Sequence, residues 1–149
     1  DFKVIIAGDG EDKYKILSFI KKNNLEKNIF LIGHVQNIFP YISLSQGFIL
    51  TSLWEDPGFV LIEAGFCRIP VFSSDCPGPR EIIIEGFNGV LFKSNDEKDL
   101  VKNFSRFNNA INSKKQKKKL ILNNLTLSRK FSLFHHYLTI NKILNNDYN

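Results

Sequence analysis

Two glutamates, Glu55 and Glu63, lie near the middle of the chain with seven residues between them. Pro57 and Gly58, which lie between the two glutamates, end the extended segment that follows the apolar run at residues 47–51. The pattern from Phe59 onward is that of a short buried helix. A helix that begins directly after a strand points free backbone N–H groups and the positive end of its dipole at one place, which suits a phosphate group. A carboxylate four residues further, about 6 Å along the helix axis, suits the hydroxyls of a sugar. The two glutamates therefore predict a site for a sugar that carries a diphosphate.

The elements that position these glutamates are five strand–helix repeats followed by further helices. The first apolar run is β-branched, which is typical of a buried parallel strand. The repeat predicts an α/β fold, a Rossmann-like doubly wound parallel sheet with C-terminal helices, as a single domain over residues 1–149. Glu55 then follows the third strand, at the sheet edge formed by the carboxyl ends of the strands, where such folds bind their ligands. The predicted strands lie within residues 3–8, 29–33, 47–51, 68–75 and 86–92.

The composition is that of a globular protein, with 43% hydrophobic and 23% charged residues. No apolar run reaches the ~18 residues of a spanning helix, and the first residues given show no signal-peptide pattern. Cys67 and Cys76 are too few for a disulfide framework or a metal quartet, so we expect small core residues in a reducing, cytoplasmic compartment. The adjacent His135 and His136 point to different faces and predict no metal site. Since the chain lacks Met and begins inside a predicted strand, we interpret it as a piece of a longer protein.

Five lysines are clustered within six positions, and the chain has a net charge of +5. The pattern indicates either a solvated helix face or a peripheral contact with anionic lipid at the inner face of a membrane. Nucleic acid is not an expected partner, because the cluster lacks interleaved aromatic residues and the chain has no known binding module. The cluster consists of Lys114, Lys115, Lys117, Lys118 and Lys119.

The stretch from Ser52 to Ala64 resembles the C-terminal, donor-binding domain of retaining glycosyltransferases with the GT-B fold, glycosyltransferase family four (glycosyl transferases group one). The resemblance implies that Glu63 binds the ribose hydroxyls of a nucleotide and that Glu55 is the catalytic glutamate beside the donor sugar. The family more often has Gly-Phe at the positions of Asp56 and Pro57. The backbone amides implied to meet the diphosphate are those of Gly58, Phe59, Val60 and Leu61.

Two further segments carry the resemblance. Residues 76–83 resemble the Gly-Pro-Arg-Glu-Ile segment of the same family, which implies that Pro77 and Gly78 approach the donor. For Arg80, a structural salt bridge and a phosphate contact both stay open. The loop after the second predicted strand lies near the nucleotide base in the family, which implies a donor contact for His34.

The implied activity is transfer of a hexose or N-acetylhexosamine from a UDP-sugar or GDP-sugar to a glycan or lipid-linked acceptor, with retained anomeric configuration. The resemblance implies no cofactor and no metal ion. This sequence has no counterpart of the family's first strand, which carries a phosphate-binding Arg and Lys, or of its N-terminal acceptor domain. We therefore expect these residues alone to be inactive.

A non-catalytic subunit that binds a nucleotide or docks a partner stays open as an alternative. An unrelated flavodoxin-like module fits less well, since Asp9, Glu11 and Asp12 match its acidic cluster poorly, and the glycine fingerprint of nicotinamide binding is absent.

Overall fold

The computed structural model describes residues 2–146, with side chains up to Ile143. These residues fall into two compact units, one ending at Pro40 and the other beginning at Tyr41. The first unit holds β1 (Val4–Ala7), α1 (Lys13–Lys22) and β2 (Ile29–Gly33), and α2 (Phe39–Leu44) runs across the boundary.

In the first unit, β1 and β2 are paired in parallel, with Val4 opposite Ile29 and Ile6 opposite Leu31. The parallel pairing confirms the expectation from the sequence. The expectation that the first strand is buried is wrong, because Ile5 is 51% exposed and only Ile20 is buried among residues 2–40. A two-stranded sheet with one helix has too few side chains to cover both faces of a strand, whatever the apolar content of that strand.

The second unit contains a three-stranded parallel sheet in the order β3 (Phe48–Leu50), β4 (Val71–Asp75) and β5 (Gly89–Lys93), and each strand is followed by a helix. This arrangement is the α/β fold with parallel strands that the sequence predicts. A 3₁₀ turn at Arg129–Phe131 precedes the last helix, which begins at Leu133. The helices that follow α2 are α3 (Phe59–Phe66), α4 (Pro77–Ile82), α5 (Glu97–Asn112), α6 (Lys114–Ser128) and α7 (Leu133–Asn146).

The core of the second unit is centred on the middle strand, β4. Phe72 is fully buried and its ring lies 4.7 Å from that of Phe92 and 5.4 Å, stacked, from that of Phe107. Aromatic pairs at these distances add about 0.5–1.5 kcal/mol to the stabilisation from burial. β4 is thus the most buried strand of this sheet, and Ser74 near its end contacts the loop that leads into α3.

The position of α3 depends on a close approach to α6. Gly65 lies against Ser128, and a Cβ at position 65 would overlap the Ser128 hydroxyl oxygen. Asn124, fully buried beside this contact, donates a hydrogen bond of 3.2 Å from Nδ2 to the carbonyl of Ile69. Because Gly65 has no side chain, α6 packs directly against α3 and holds it in position. Among residues 2–146, no helix combines the length and the apolar character needed to cross a membrane.

Candidate functional site

The first turn of α3 is an open helix end directly after a loop from β3. Its N-cap residue, Gly58, has the left-handed backbone conformation (φ 84°, ψ 53°), which glycine adopts without steric cost. No side chain caps this end, and the first turn contains no acidic residue. The Leu61 amide donates a hydrogen bond of 3.0 Å to the Gly58 carbonyl, whereas the amides of Gly58, Phe59 and Val60 lie too early in the helix for such a partner. The first turn of α3 therefore offers N–H groups and a positive dipole end to an anion.

Glu55 lies at this helix end. A Cβ built on Gly58 would be 3.7 Å from the Cβ of Glu55, so the glutamate side chain packs beside the N-cap. The Ser52 hydroxyl donates a hydrogen bond of 2.6 Å to Oε1 of Glu55, whose side chain is half-buried. This bond holds one carboxylate oxygen and leaves the other available to a ligand.

Glu63 lies on α3 one turn after Phe59, the first residue of the helix. It is half-buried, and its carboxylate has no hydrogen bond or ion pair with any residue that the structure describes. A carboxylate that is partly withdrawn from water without a protein donor is suited to accept hydrogen bonds from a ligand. The structure thus places the two predicted glutamates on one segment, Glu55 at the start of α3 and Glu63 one turn further along.

The carboxyl end of β4 fixes the loop that carries Glu55. Ser74 is buried, and its hydroxyl donates a hydrogen bond of 2.5 Å to the carbonyl of Ser52. The Gly78 amide donates a hydrogen bond of 3.1 Å to the carbonyl of Glu55. Ser52 and Ser74 are absent from the residues singled out in the sequence. The one signal for Ser52 is its place three residues before Glu55, whereas Ser74 becomes visible only through the pairing of β3 with β4.

Gly78 belongs to this support of the loop. It is buried, and a Cβ at this position would lie 2.7 Å from the carbonyl oxygens of both Glu55 and Pro57. Glycine is therefore required for α4 to approach the loop so closely. Pro77 is exposed at the first position of α4, and donor contact by Pro77 and Gly78 stays a prediction.

Arg80 forms the salt bridge that was one of its two expected roles. Its Nε donates a hydrogen bond of 2.5 Å to Oδ1 of Asp75, and this carboxylate raises the pKa of the exposed Arg80 guanidinium. The Arg80 guanidinium is therefore already paired with a carboxylate of the same chain.

His34 belongs to the first unit, where it is exposed after β2, and its contact with a donor stays a prediction.

The chain matches the family described as "Glycosyl transferases group 1" over residues 1–124. It belongs to this family. An uncharacterised glycosyltransferase of Methanocaldococcus jannaschii is 44% identical over 58% of the chain and 21% of its own length. A Campylobacter jejuni enzyme named N-acetylgalactosamine-N,N'-diacetylbacillosaminyl-diphospho-undecaprenol 4-alpha-N-acetylgalactosaminyltransferase is 32% identical over 67% of the chain and 28% of its own length. The chain thus spans about a quarter of these glycosyltransferases.

A solved structure of similar fold is that of a mutant of S. aureus TarM in complex with fondaparinux, alpha-GlcNAc-glycerol and UDP. It is 26% identical, with a TM-score of 0.80 over 96% of this chain and 28% of that one. The α/β architecture is accordingly that of the donor-binding, C-terminal half of GT-B glycosyltransferases, consistent with family four. The matched family and the parallel strands together confirm the fold and the transferase class expected from the sequence.

Proposed function

We propose that this chain is the donor-binding part of a retaining glycosyltransferase that takes a nucleotide-diphospho-sugar and delivers the sugar to a glycan or lipid-linked acceptor. The observation that carries the proposal is the uncapped start of α3, with Glu55 beside it and the unpaired Glu63 one turn further along. An open helix end suits a diphosphate, and a carboxylate suits the hydroxyls of a ribose. Among the residues described, no side chain caps the start of α3 and none pairs with the Glu63 carboxylate.

In the proposed reaction the bond from the anomeric carbon to the diphosphate oxygen breaks while positive charge builds on the sugar ring. The amides of Gly58, Phe59 and Val60 are proposed to stabilise the leaving diphosphate without a metal ion, because they are oriented before the reaction begins. The Leu61 amide, which the resemblance also implied, already donates to the Gly58 carbonyl. Glu55 is proposed to be the catalytic glutamate beside the donor sugar, and the Ser52 hydroxyl fixes the direction of its carboxylate. Retention of configuration follows the resemblance to family four.

The donor is proposed to be a UDP-sugar or GDP-sugar that carries a hexose or N-acetylhexosamine. The UDP in the TarM complex supports a uridine nucleotide, and the name of the Campylobacter enzyme supports N-acetylhexosamine transfer to a lipid-linked acceptor. We further propose that the chain alone binds donor weakly and does not turn over, because it has no counterpart of the family's phosphate-binding Arg and Lys or of its acceptor domain. We place the reaction in the cytoplasm, with a peripheral contact at the inner membrane face as a separate proposal.

Calorimetric titration of this chain with UDP, GDP, inorganic pyrophosphate and ADP tests the proposed ligand. We expect UDP or GDP to bind more tightly than pyrophosphate, because only the nucleotides offer ribose hydroxyls to Glu63. Binding of pyrophosphate and of all nucleotides with equal affinity would contradict the proposed ribose contact. Nucleotide binding together with absence of sugar transfer by the full-length protein would instead favour the non-catalytic alternative.

The Glu63→Ala variant tests the role of the second glutamate. We expect its affinity for the nucleoside diphosphate to fall about 10- to 100-fold, the equivalent of about 1.5–3 kcal/mol for hydrogen bonds to a charged group, with pyrophosphate affinity nearly unchanged. Glu97→Ala removes the same charge from the exposed surface of α5 and serves as the control. Equal losses for the nucleotide and for pyrophosphate would mean that Glu63 does not hold the ribose.

A further inference from the structure

Charge is distributed very unevenly along the chain. Residues 100–146 contain ten Lys and Arg and no Asp or Glu, whereas 14 of the 15 acidic residues precede position 100. All charged side chains in this region are therefore basic, and the region includes most of α5 and all of α6 and α7. A sign asymmetry of this kind points to an anionic partner, because within one fold the opposite charges would otherwise be interspersed.

The charges of this region are concentrated at the beginning of α6. Lys114, Lys115, Lys118 and Lys119 are exposed there, and none forms an ion pair within residues 2–146. Cations at the start of a helix oppose its dipole, and like charges four residues apart repel each other. The first turn of α6 contains no acidic residue to offset either effect. The cluster thus destabilises its own helix, which indicates a role other than stability.

The outer face of α6 combines these lysines with an apolar side chain. Leu120 and Asn124 are buried and form the inner face of the helix. Leu122 is 59% exposed and lies one turn beyond Lys118 and Lys119 on the outer side. We name the four exposed lysines and Leu122 the basic face of α6. The arrangement of cationic side chains around an exposed leucine is that of helices that lie on a lipid surface.

We propose that the basic face of α6 binds the surface of an anionic lipid bilayer. Lysine is a compact point charge on a flexible stem, which suits laterally mobile headgroups better than the fixed geometry of one phosphate. Single-stranded nucleic acid is less suited, since it is bound by aromatic side chains that stack on the bases and α6 contains none. Each lysine near such a surface strengthens partition to the bilayer about fivefold. The proposal is independent of the donor site.

Co-sedimentation of the chain with lipid vesicles tests this binding. We expect binding to vesicles of phosphatidylcholine with about 30% phosphatidylglycerol, weak binding to pure phosphatidylcholine, and loss of most binding between about 0.05 and 0.5 M salt, because the attraction is screened. Equal binding to both kinds of vesicle would overturn the proposal. So would tighter binding to a single-stranded oligonucleotide than to the anionic vesicles at the same salt concentration.

A quadruple Lys→Gln variant at positions 114, 115, 118 and 119 locates the binding surface. We expect its partition to anionic vesicles to fall more than about a hundredfold, with no loss of thermal stability, because the removed charges oppose the helix dipole. The matched control replaces Lys3, Lys21, Lys22 and Lys27 by Gln, which changes the net charge equally in the other unit. A similar loss in both variants would show dependence on net charge alone and overturn the assignment. Unchanged UDP affinity in the first variant would separate this result from the donor site.

Discussion

The starts of α3 and α5 differ sharply, although both helices follow parallel strands of the same sheet. At α5, Oδ1 of Asp96 accepts a hydrogen bond of 3.0 Å from the Asp99 amide, and Glu97 and Asp99 add negative charge in the first turn. At α3, the N-cap is Gly58, with neither a side-chain cap nor an acidic residue in the first turn. One helix end is thus satisfied by its own residues, and the other is left open.

The hydrogen bonds of the acidic side chains on the two helices show the same contrast. Oδ2 of Asp99 accepts a hydrogen bond of 2.7 Å from the Lys93 amide and another of 3.0 Å from Nδ2 of Asn103. The Glu63 carboxylate has no such donor within the residues described. At α5, the amide and the carboxylate of Asp99 are hydrogen-bonded to other residues of the chain, as is expected of a helix with a purely structural role. The unpaired groups of α3 are the basis on which we propose that this helix binds a ligand.

The largest effect is expected when the start of α3 is made to resemble that of α5. Gly58→Asp would place a carboxylate at the open amides, where it competes with phosphate and repels it. We expect affinities for UDP and for pyrophosphate to fall together by about 10- to 100-fold, the equivalent of one or two charge-assisted hydrogen bonds. Calorimetry measures both affinities.

Gly58→Asn is the matched control for this variant, since it has the same shape and tolerates the left-handed backbone about as well as Asp. We expect a clearly smaller loss of phosphate affinity with Asn, because the amide carries no charge. An Asn variant as weak as the Asp variant would mean that shape, and not the anion, decides the result. The comparison between the two helix ends would then lose its electrostatic basis.

A smaller effect is expected when the start of α5 is made to resemble that of α3. Asp96→Ala removes the cap on the Asp99 amide, so the free energy of unfolding should fall by about 1 kcal/mol in chemical denaturation. Affinity for UDP should stay within about twofold of the unmodified chain. Asp96→Asn keeps an acceptor at the cap and should recover most of the lost stability. A large change in UDP affinity after Asp96→Ala would contradict the claim that the start of α5 is structural and only the start of α3 binds the ligand.

The smallest effect concerns the hydrogen bond that the Ser52 hydroxyl makes to a carboxylate at the α3 end. Ser52→Ala frees Oε1 of Glu55, and we expect affinity for the nucleotide sugar to fall about threefold. Affinity for the nucleoside diphosphate alone should not change, because Glu55 is proposed to contact the sugar. Ser52→Thr keeps the hydroxyl and is the control. Equal losses for both ligands would indicate that Ser52 supports the whole loop.

The sequence was informative where local rules determine the structure. The break at Pro57 and Gly58 predicts the start of α3 at Phe59, because glycine and proline interrupt an extended run and the next apolar spacing is helical. The parallel α/β fold follows from the regular alternation of strands and helices. The two glutamates were identified because the motif that contains them is continuous in the chain.

Other features depend on contacts between residues distant in sequence. The Ser74 hydroxyl reaches the Ser52 carbonyl only because β3 and β4 pair with Leu50 opposite Ser73. The requirement for glycine at position 65 arises from Ser128 on another helix. The exposure of β1 was missed because its apolar residues predict burial, whereas burial depends on how many neighbours cover the strand.

The most direct test of the central claim is a crystal structure of the chain with UDP or GDP bound. We predict diphosphate oxygens within hydrogen-bond distance of the amides at the start of α3, and ribose hydroxyls within about 3 Å of the Glu63 carboxylate. Density for the nucleotide at any other place, with the start of α3 left to solvent, would contradict the account.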